Sequence, residues 1–229
     1  MVKIRRTGLL EINAEIFQKN FSRTIHPMSA RYDIAVILLA AGGSSRMRGA
    51  DKLLEAVDGV PLLRRVAEGA CAAIVSQVIV VFGSKAQARQ DALAGLPIHP
   101  VMNDAWQSGM ASSIAAGVNA VSPQTDGALI VLGDMPEVGS ALMNTLIGVF
   151  DPEGGKDIVR PVAASGPVGN PVLFGQRHFP ALMALTGDSG AKPIIAAQGD
   201  SVVDVPVNDD SVLIDLDTPE AWLAWRSSQ

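Results

Sequence analysis

The chemistry in the chain is concentrated in Leu39-Ala40-Ala41-Gly42-Gly43-Ser44-Ser45-Arg46-Met47-Arg48-Gly49-Ala50-Asp51-Lys52. Its small residues let backbone N–H groups approach an anion closely and form a nest for a triphosphate. Arg46 adds a forked donor for the outer phosphates, and Lys52 a point charge for the phosphorus under attack. The plain alternative is a glycine-rich turn with two solvated cations. The position of the loop, directly after the buried-strand pattern Ile34 to Ala41, favours the phosphate cradle. Gly42, Gly43 and Gly49 do not fit G-x-G-x-x-G, and Gly49-Ala50-Asp51-Lys52 is not the G-K-[ST] ending of a P-loop. Dinucleotide oxidoreductases and P-loop NTPases therefore fall in rank.

A hard cation beside those phosphates needs oxygen ligands. The run Gly127-Ala-Leu-Ile-Val-Leu-Gly133-Asp134-Met135-Pro136 places one carboxylate, Asp134, at the end of an apolar strand. Asp134 is thus a candidate Mg²⁺ ligand, with a helix N-cap as its structural alternative, since Asp followed by Pro also starts helices. Near the C-terminus, Asp215 and Asp217 stand just before a helix pattern. One of them completes the metal site while the other is free to cap, because Asp217-Thr218-Pro219 is a good helix start.

These groups require a frame that brings the ends of distant strands together. Short β-branched runs alternate with amphipathic stretches, the pattern of parallel strands joined by helices. Strands are expected at Asp33–Ala40, Gln77–Phe82, Ile98–Val101, Gly127–Leu132, Asp157–Val162, Val172–Phe174 and Val202–Val205. Helices are expected near Leu62–Ala73, Lys85–Ala94, Met110–Val121, Ser140–Val149, Ala191–Gln198 and Pro219–Arg226. The fold class is α/β: a doubly wound, mostly parallel, Rossmann-like sheet in three α/β/α layers. Ligands then bind beyond the carboxyl ends of the strands, where strand order reverses.

Composition narrows the classes further. The net charge of −5 gives no general field for nucleic acid. No apolar run approaches the roughly 18 residues of a membrane span. The single Cys71 and three scattered histidines, His26, His99 and His178, offer neither a disulfide nor a zinc spacing, which suits a reducing, cytoplasmic location. Residues 1–30 read as a basic arm, with Leu9, Ile12 and Ile16 as a short apolar stripe, ahead of a catalytic domain over 31–229. Trp222 and Trp225 read as packing residues, and Cys71 as a small buried apolar one.

With the loop, Lys52 and Gly133-Asp134-Met135-Pro136 in place, the chain resembles the molybdenum cofactor nucleotidyltransferases, which attach CMP or GMP to molybdopterin. The likeness spans about residues 34 to 227 and adds Asn103-Asp-Ala-Trp-Gln-Ser-Gly109-Met-Ala-Ser112-Ser113, Gly169-Asn170-Pro171-Val-Leu-Phe174 and Gly187-Asp188-Ser-Gly-Ala-Lys192. It implies attack by a terminal phosphate oxygen of the acceptor on the α-phosphate of an NTP, with pyrophosphate leaving. Lys52, Arg46 and Asp134 are the implied catalytic set. Nucleotide contacts fall on Leu39 to Ser45, Lys52, Gly109, Ser112 and Asp134. Acceptor contacts fall on Asn103, Met135, Pro136, Asn170, Pro171 and Asp188. The first of these segments is also a plausible helix start at Ser108-Gly109, the second a plausible turn, and the last a plausible N-cap with Lys192 in solvent.

Leu39-Ala40-Ala41-Gly42 is similar to the cytidylyl form of the loop, the guanylyl form carrying glycine for the second alanine, so CTP is the expected nucleotide and GTP the alternative. A molybdoenzyme or its maturation chaperone is the implied downstream partner. Arg46-Met47-Arg48-Gly49 departs from the related Arg-Met-Gly, and Arg48 stands ready to replace or supplement Arg46. Two rivals remain: another nucleotidyltransferase of the same fold acting on a sugar phosphate or methylerythritol phosphate, and a non-catalytic carrier of the finished cofactor.

Overall fold

The sequence Ile34-Ala-Val-Ile-Leu-Leu-Ala40 forms β1, an interior strand of the computed structural model, which describes residues 31–188 and 190–228. A continuous apolar run suits this position, because helices cover both faces of a parallel sheet. The other strands of the main sheet are β4 (Gln77–Phe82), β5 (His99–Met102), β6 (Gly127–Leu132), β7 (Ile158–Val162), β8 (Val172–Gly175) and β9 (Val202–Pro206), after a small hairpin of β2 (Ala56–Val57) and β3 (Val60–Pro61). The order across the sheet is β5-β4-β1-β6-β8-β7-β9. Only β8 runs against its neighbours, antiparallel to β6 and to β7. All seven expected sheet strands form, with ends shifted by a residue at most.

Side chains alternate across the sheet and seed two cores. Ile34, Val36, Leu38 and Ala40 face one way, toward α1 (Leu62–Cys71), α4 (Ser140–Val149) and α7 (Pro219–Ser227). Ile37 and Ala41 face the other way, toward α3 (Met110–Asn119), α5 (Phe179–Met183) and α6 (Lys192–Ala197). The remaining helix, α2 (Ala86–Ala92), follows β4. The chain winds from β1 outward through β4 and β5, then crosses back to place β6 on the opposite side of β1. The reversal opens a crevice at the carboxyl ends of β1 and β6, where the loop ending in Lys52 and the turn holding Asp134 emerge.

Several local expectations need adjusting. The sequence pattern does not show the hairpin β2–β3 or the helix α5; four of the six expected helices are two or three residues shorter than the pattern, α4 matches it and α7 runs one residue further. Cys71 is half-buried at the end of α1 rather than enclosed. Trp222 and Trp225 do pack, edge to face at 6.1 Å. The apolar stripe of the basic arm lies outside the described residues. No helix among the described residues is long and apolar enough to cross a membrane.

Candidate active site

The loop after β1 folds tightly. Ser44 and Arg48 both adopt left-handed backbone, with φ of 53° and 51°, and Gly49 follows at 101°. Between them the one-turn 3-10 helix Ser45–Met47 drops the Met47 side chain into the core, so the turn is tethered rather than loose. Beside it lies a cleft of about 340 Å³. Of the residues singled out in the sequence, Leu39, Ala41, Gly42, Gly43, Ser44, Ser45, Arg46, Lys52, Gly109, Asp134, Asp188 and Asp217 line this one cleft.

At its floor the Lys52 ammonium is 2.5 Å from Asp134 Oδ2 and also meets Asp217 Oδ1. Arg46 reaches the other oxygen of Asp217 at 2.7 Å. Burial pulls the pKa of Lys52 down, but the two carboxylates outweigh it and the amine stays charged well into alkaline solution. Burial likewise raises that of Asp217, and the bonds and charges of Lys52 and Arg46 turn the net shift downward. Asp215 goes the other way, raised first by burial and then by the charges of Asp217 and Asp134. It does not line the cleft.

The helix-cap alternatives for the acidic residues resolve differently from one another. Asp134 lies in a turn, and the next helix begins only at Ser140, so it caps nothing. Its backbone carbonyl instead accepts from Leu216 N at 3.0 Å, which draws the segment bearing Asp217 against it. Asp217 does not cap α7 either. Thr218 does, its Oγ1 accepting from Ala221 N at 3.1 Å, which leaves the Asp217 carboxylate for the cleft.

For a divalent ion, Asp134 and Asp217 supply hard oxygen donors of the right kind. Asp134 Oδ1 is buried with no hydrogen-bond partner among the described residues, a lone pair set still to be satisfied. Among the described residues no cluster of three metal-binding side chains exists, so further ligands would be substrate oxygens or water.

Other expected contacts sit away from the cleft wall. Asn103 is buried, donates to Ser112 and Ser113 Oγ at 2.9 and 3.0 Å, and accepts from Ala105 N, so it ties its segment onto α3. Ser112 Oγ is turned to backbone carbonyls of Ala105 and Gly109. Ala40, Met135, Pro136 and Pro171 are buried, and Asn170, joined to Pro171 by a cis peptide, bonds through its N–H to Val212 O. Asp188 does stand on the cleft wall but caps no helix of its own: it accepts from Met110 N at 3.2 Å and so closes the start of α3, while Lys192 is exposed.

The family model for the MobA-like NTP transferase domain matches residues 36–202. The chain belongs to this family. This NTP transferase chain is 30% identical over 191 residues, 80% of this chain and 92% of the relative, to a protein of Paenarthrobacter nicotinovorans named nicotine blue oxidoreductase. It is 31% identical over 110 residues to a probable molybdenum cofactor guanylyltransferase of Natronomonas pharaonis, spanning 48% of this chain and 54% of that protein. Among solved structures, Rv0371c of Mycobacterium tuberculosis H37Rv superimposes with a TM-score of 0.76 and 28% identity, covering 87% of this chain and all of that one. A second structure of the same mycobacterial protein, in complex with manganese, superimposes with a TM-score of 0.72 and 27% identity, over 86% of this chain and all of that one.

Three features of this NTP transferase site were not anticipated from the sequence. The first is Trp106, which stood in a quoted segment without a role. Gly43 and Gly83 make room for it: a Cβ on Gly43 would lie 3.1 Å from the indole, and one on Gly83 2.7 Å from Trp106 Cβ and Cγ. The indole thereby rests on the phosphate loop and forms a wall of the cleft. The second is the cap at Thr218. The third is a buried ion pair, Asp51 with Arg89, beneath the loop. Its signal was present, because Arg89 falls on the same helical face as Ala86 and the buried Leu93.

Proposed function

We propose that this protein transfers CMP from CTP to the terminal phosphate of molybdopterin or the molybdenum cofactor, releasing pyrophosphate. The observation that carries the reading is the convergence of Lys52, Asp134 and Asp217 at the end of a glycine-rich loop in one cleft. An acceptor phosphate oxygen bonds to the α-phosphorus of CTP while the bond from that phosphorus to the bridging oxygen breaks, and the pair of electrons leaves with pyrophosphate. No protein nucleophile is needed, only positioning and charge.

In this scheme the loop N–H groups and Arg46 hold the departing phosphates, and Lys52 neutralises charge growing on the α-phosphate. Asp134 and Asp217 would hold Mg²⁺, which when bound supplies Lewis-acid stabilisation of the phosphate oxygens. Asn170, Pro171 and Asp188 belong to the acceptor side and Gly109 to the nucleotide side. The cytidylyl-like Leu39-Ala40-Ala41-Gly42 supports CTP, while the guanylyltransferase name of one relative keeps GTP as the alternative. A cytoplasmic molybdoenzyme or its maturation chaperone would receive the product.

The name nicotine blue oxidoreductase raises a second reading. An oxidoreductase needs a redox cofactor, and the glycines of this loop lack the dinucleotide spacing. One assay separates the readings: pyrophosphate release from CTP and GTP, with and without molybdopterin and Mg²⁺, beside NAD(P)H consumption with nicotine blue as the electron acceptor. Release dependent on acceptor and metal, lost in Lys52→Ala, is the expected result. Tight cofactor binding with no release would leave a carrier, and NAD(P)H consumption without NTP would favour the oxidoreductase.

A further inference from the structure

Arg89 is 0% exposed, yet it sits on α2, a seven-residue helix of which it is the only buried residue. An apolar side chain would dock a helix at lower cost, since a buried charge must recover its desolvation through near-complete pairing. The pairing here is nearly complete and has a pattern. Arg89 Nε and Nη2 fork onto Asp51 at 2.9 and 2.8 Å, Nη1 donates to Ala40 O at 2.6 Å, and Nη2 reaches Ser44 Oγ at 3.4 Å. These acceptors are the last residue of β1, the left-handed corner of the loop, and the residue before Lys52.

The ring is closed by the loop itself. Ser44 Oγ donates to Asp51 Oδ1 at 3.1 Å and accepts from Lys52 N at 3.3 Å, while Asp51 Oδ1 also accepts from Leu53 N. The Ser44 hydroxyl is therefore spent on the underside of the loop. Arg89 does not line the cleft. We infer that Arg89, through Asp51 and Ser44, is a positioning residue that fixes both ends of the phosphate loop and so sets the reach of Lys52. The inference rests on the nucleotidyl-transfer reading for its kinetic consequence, though not for its structural one. A loop held from beneath needs no reordering when the triphosphate arrives, and misplacing such a group by an ångström costs on the order of 10²-fold in rate.

The test uses the full chain with Arg89→Lys, which keeps the charge and loses the fork, and with Arg89→Met/Asp51→Asn, which removes both charges. Amide hydrogen exchange over residues 43–52, thermal melting and steady-state kinetics with CTP are measured for each. In variants that melt as wild type does, exchange in the loop should accelerate. Their kcat should fall by on the order of 10²-fold for the double variant, with KM for CTP moving far less and Arg89→Lys lying between. Unchanged loop exchange in a folded variant, or a loss of activity that only follows the loss of folded protein, would overturn the assignment. Should the double variant not fold, Arg89→Lys decides by the same criteria. Should wild type release no pyrophosphate from any NTP, the functional reading fails, and the exchange comparison still decides the role of Arg89.

Discussion

The Lys52 ammonium lies 2.5 Å from Asp134 Oδ2, so the amine proposed for a phosphate is held by the carboxylate proposed for a metal. Two cations from the chain itself, Lys52 and Arg46, already balance Asp134 and Asp217. Lys52→Ala should reduce pyrophosphate release by about 10²–10³-fold, the usual effect of removing one charge-stabilising donor. Lys52→Met should at the same time bind Mn²⁺ more tightly than wild type without nucleotide, because Asp134 then loses its cation and Asp217 keeps only Arg46. Titration followed by electron paramagnetic resonance measures this, and equal or weaker binding would contradict the competition.

Acid sensitivity should trace to the pair beneath the loop. Burial alone would raise the pKa of Asp51, but the fork and charge of Arg89 bring it below the ordinary 3.8. A lowered folded-state pKa gives stability that is complete above the ordinary value and is lost as pH falls through the folded one. The urea midpoint of Asp51→Asn should therefore fall less steeply than that of wild type as the pH drops below about 4. Lys52 has the opposite sign: its raised pKa gives stability present below 10.5 and lost only as the solution becomes more alkaline than that.

Base preference is expected to turn on Ala41, which lines the cleft with only 3% of its surface exposed. Its methyl would crowd a purine lying against the backbone and spare a pyrimidine. Ala41→Gly should narrow or reverse the preference for CTP over GTP, read as the ratio of the two kcat/KM values. An unchanged ratio would remove the steric account.

Gly83→Ala should destabilise the fold by about 1–3 kcal/mol, as overpacking does. The added methyl would meet Trp106 at 2.7 Å and the Ala41 carbonyl at 2.9 Å, and the second neighbour is backbone. Urea denaturation gives the stability, and intrinsic fluorescence reports whether Trp106 has moved.

Much of this was legible from one strand pattern. The runs that became β1 and β6 are continuous and apolar, adjacent strands end at the same edge, and Lys52 and Asp134 follow those two ends. The role of Asp217 was not legible, because Asp217 and Thr218 both have good capping side chains and only the packed structure shows that Thr218 takes the position. The β2–β3 hairpin carries its own signal, Asp58-Gly59 with φ of 51° and 80°, but strands of two residues are too short to show alternation. The Arg89 fork escaped for a different reason: an arginine on a short helix ordinarily faces water, and its partner lies 38 residues away in sequence.

Because β8 runs backwards, Val172 at its start pairs with Ile130 near the end of β6, and residues 163–171 turn back at the same rim as the cleft. A reversal needs no crossover helix, so this stretch can lengthen or shorten without disturbing any parallel connection. The bank formed by the ends of β1 and β4 has no such freedom, since Gly43 and Gly83 are committed to seating an indole. Changes in length are thus tolerated along one bank and resisted on the other.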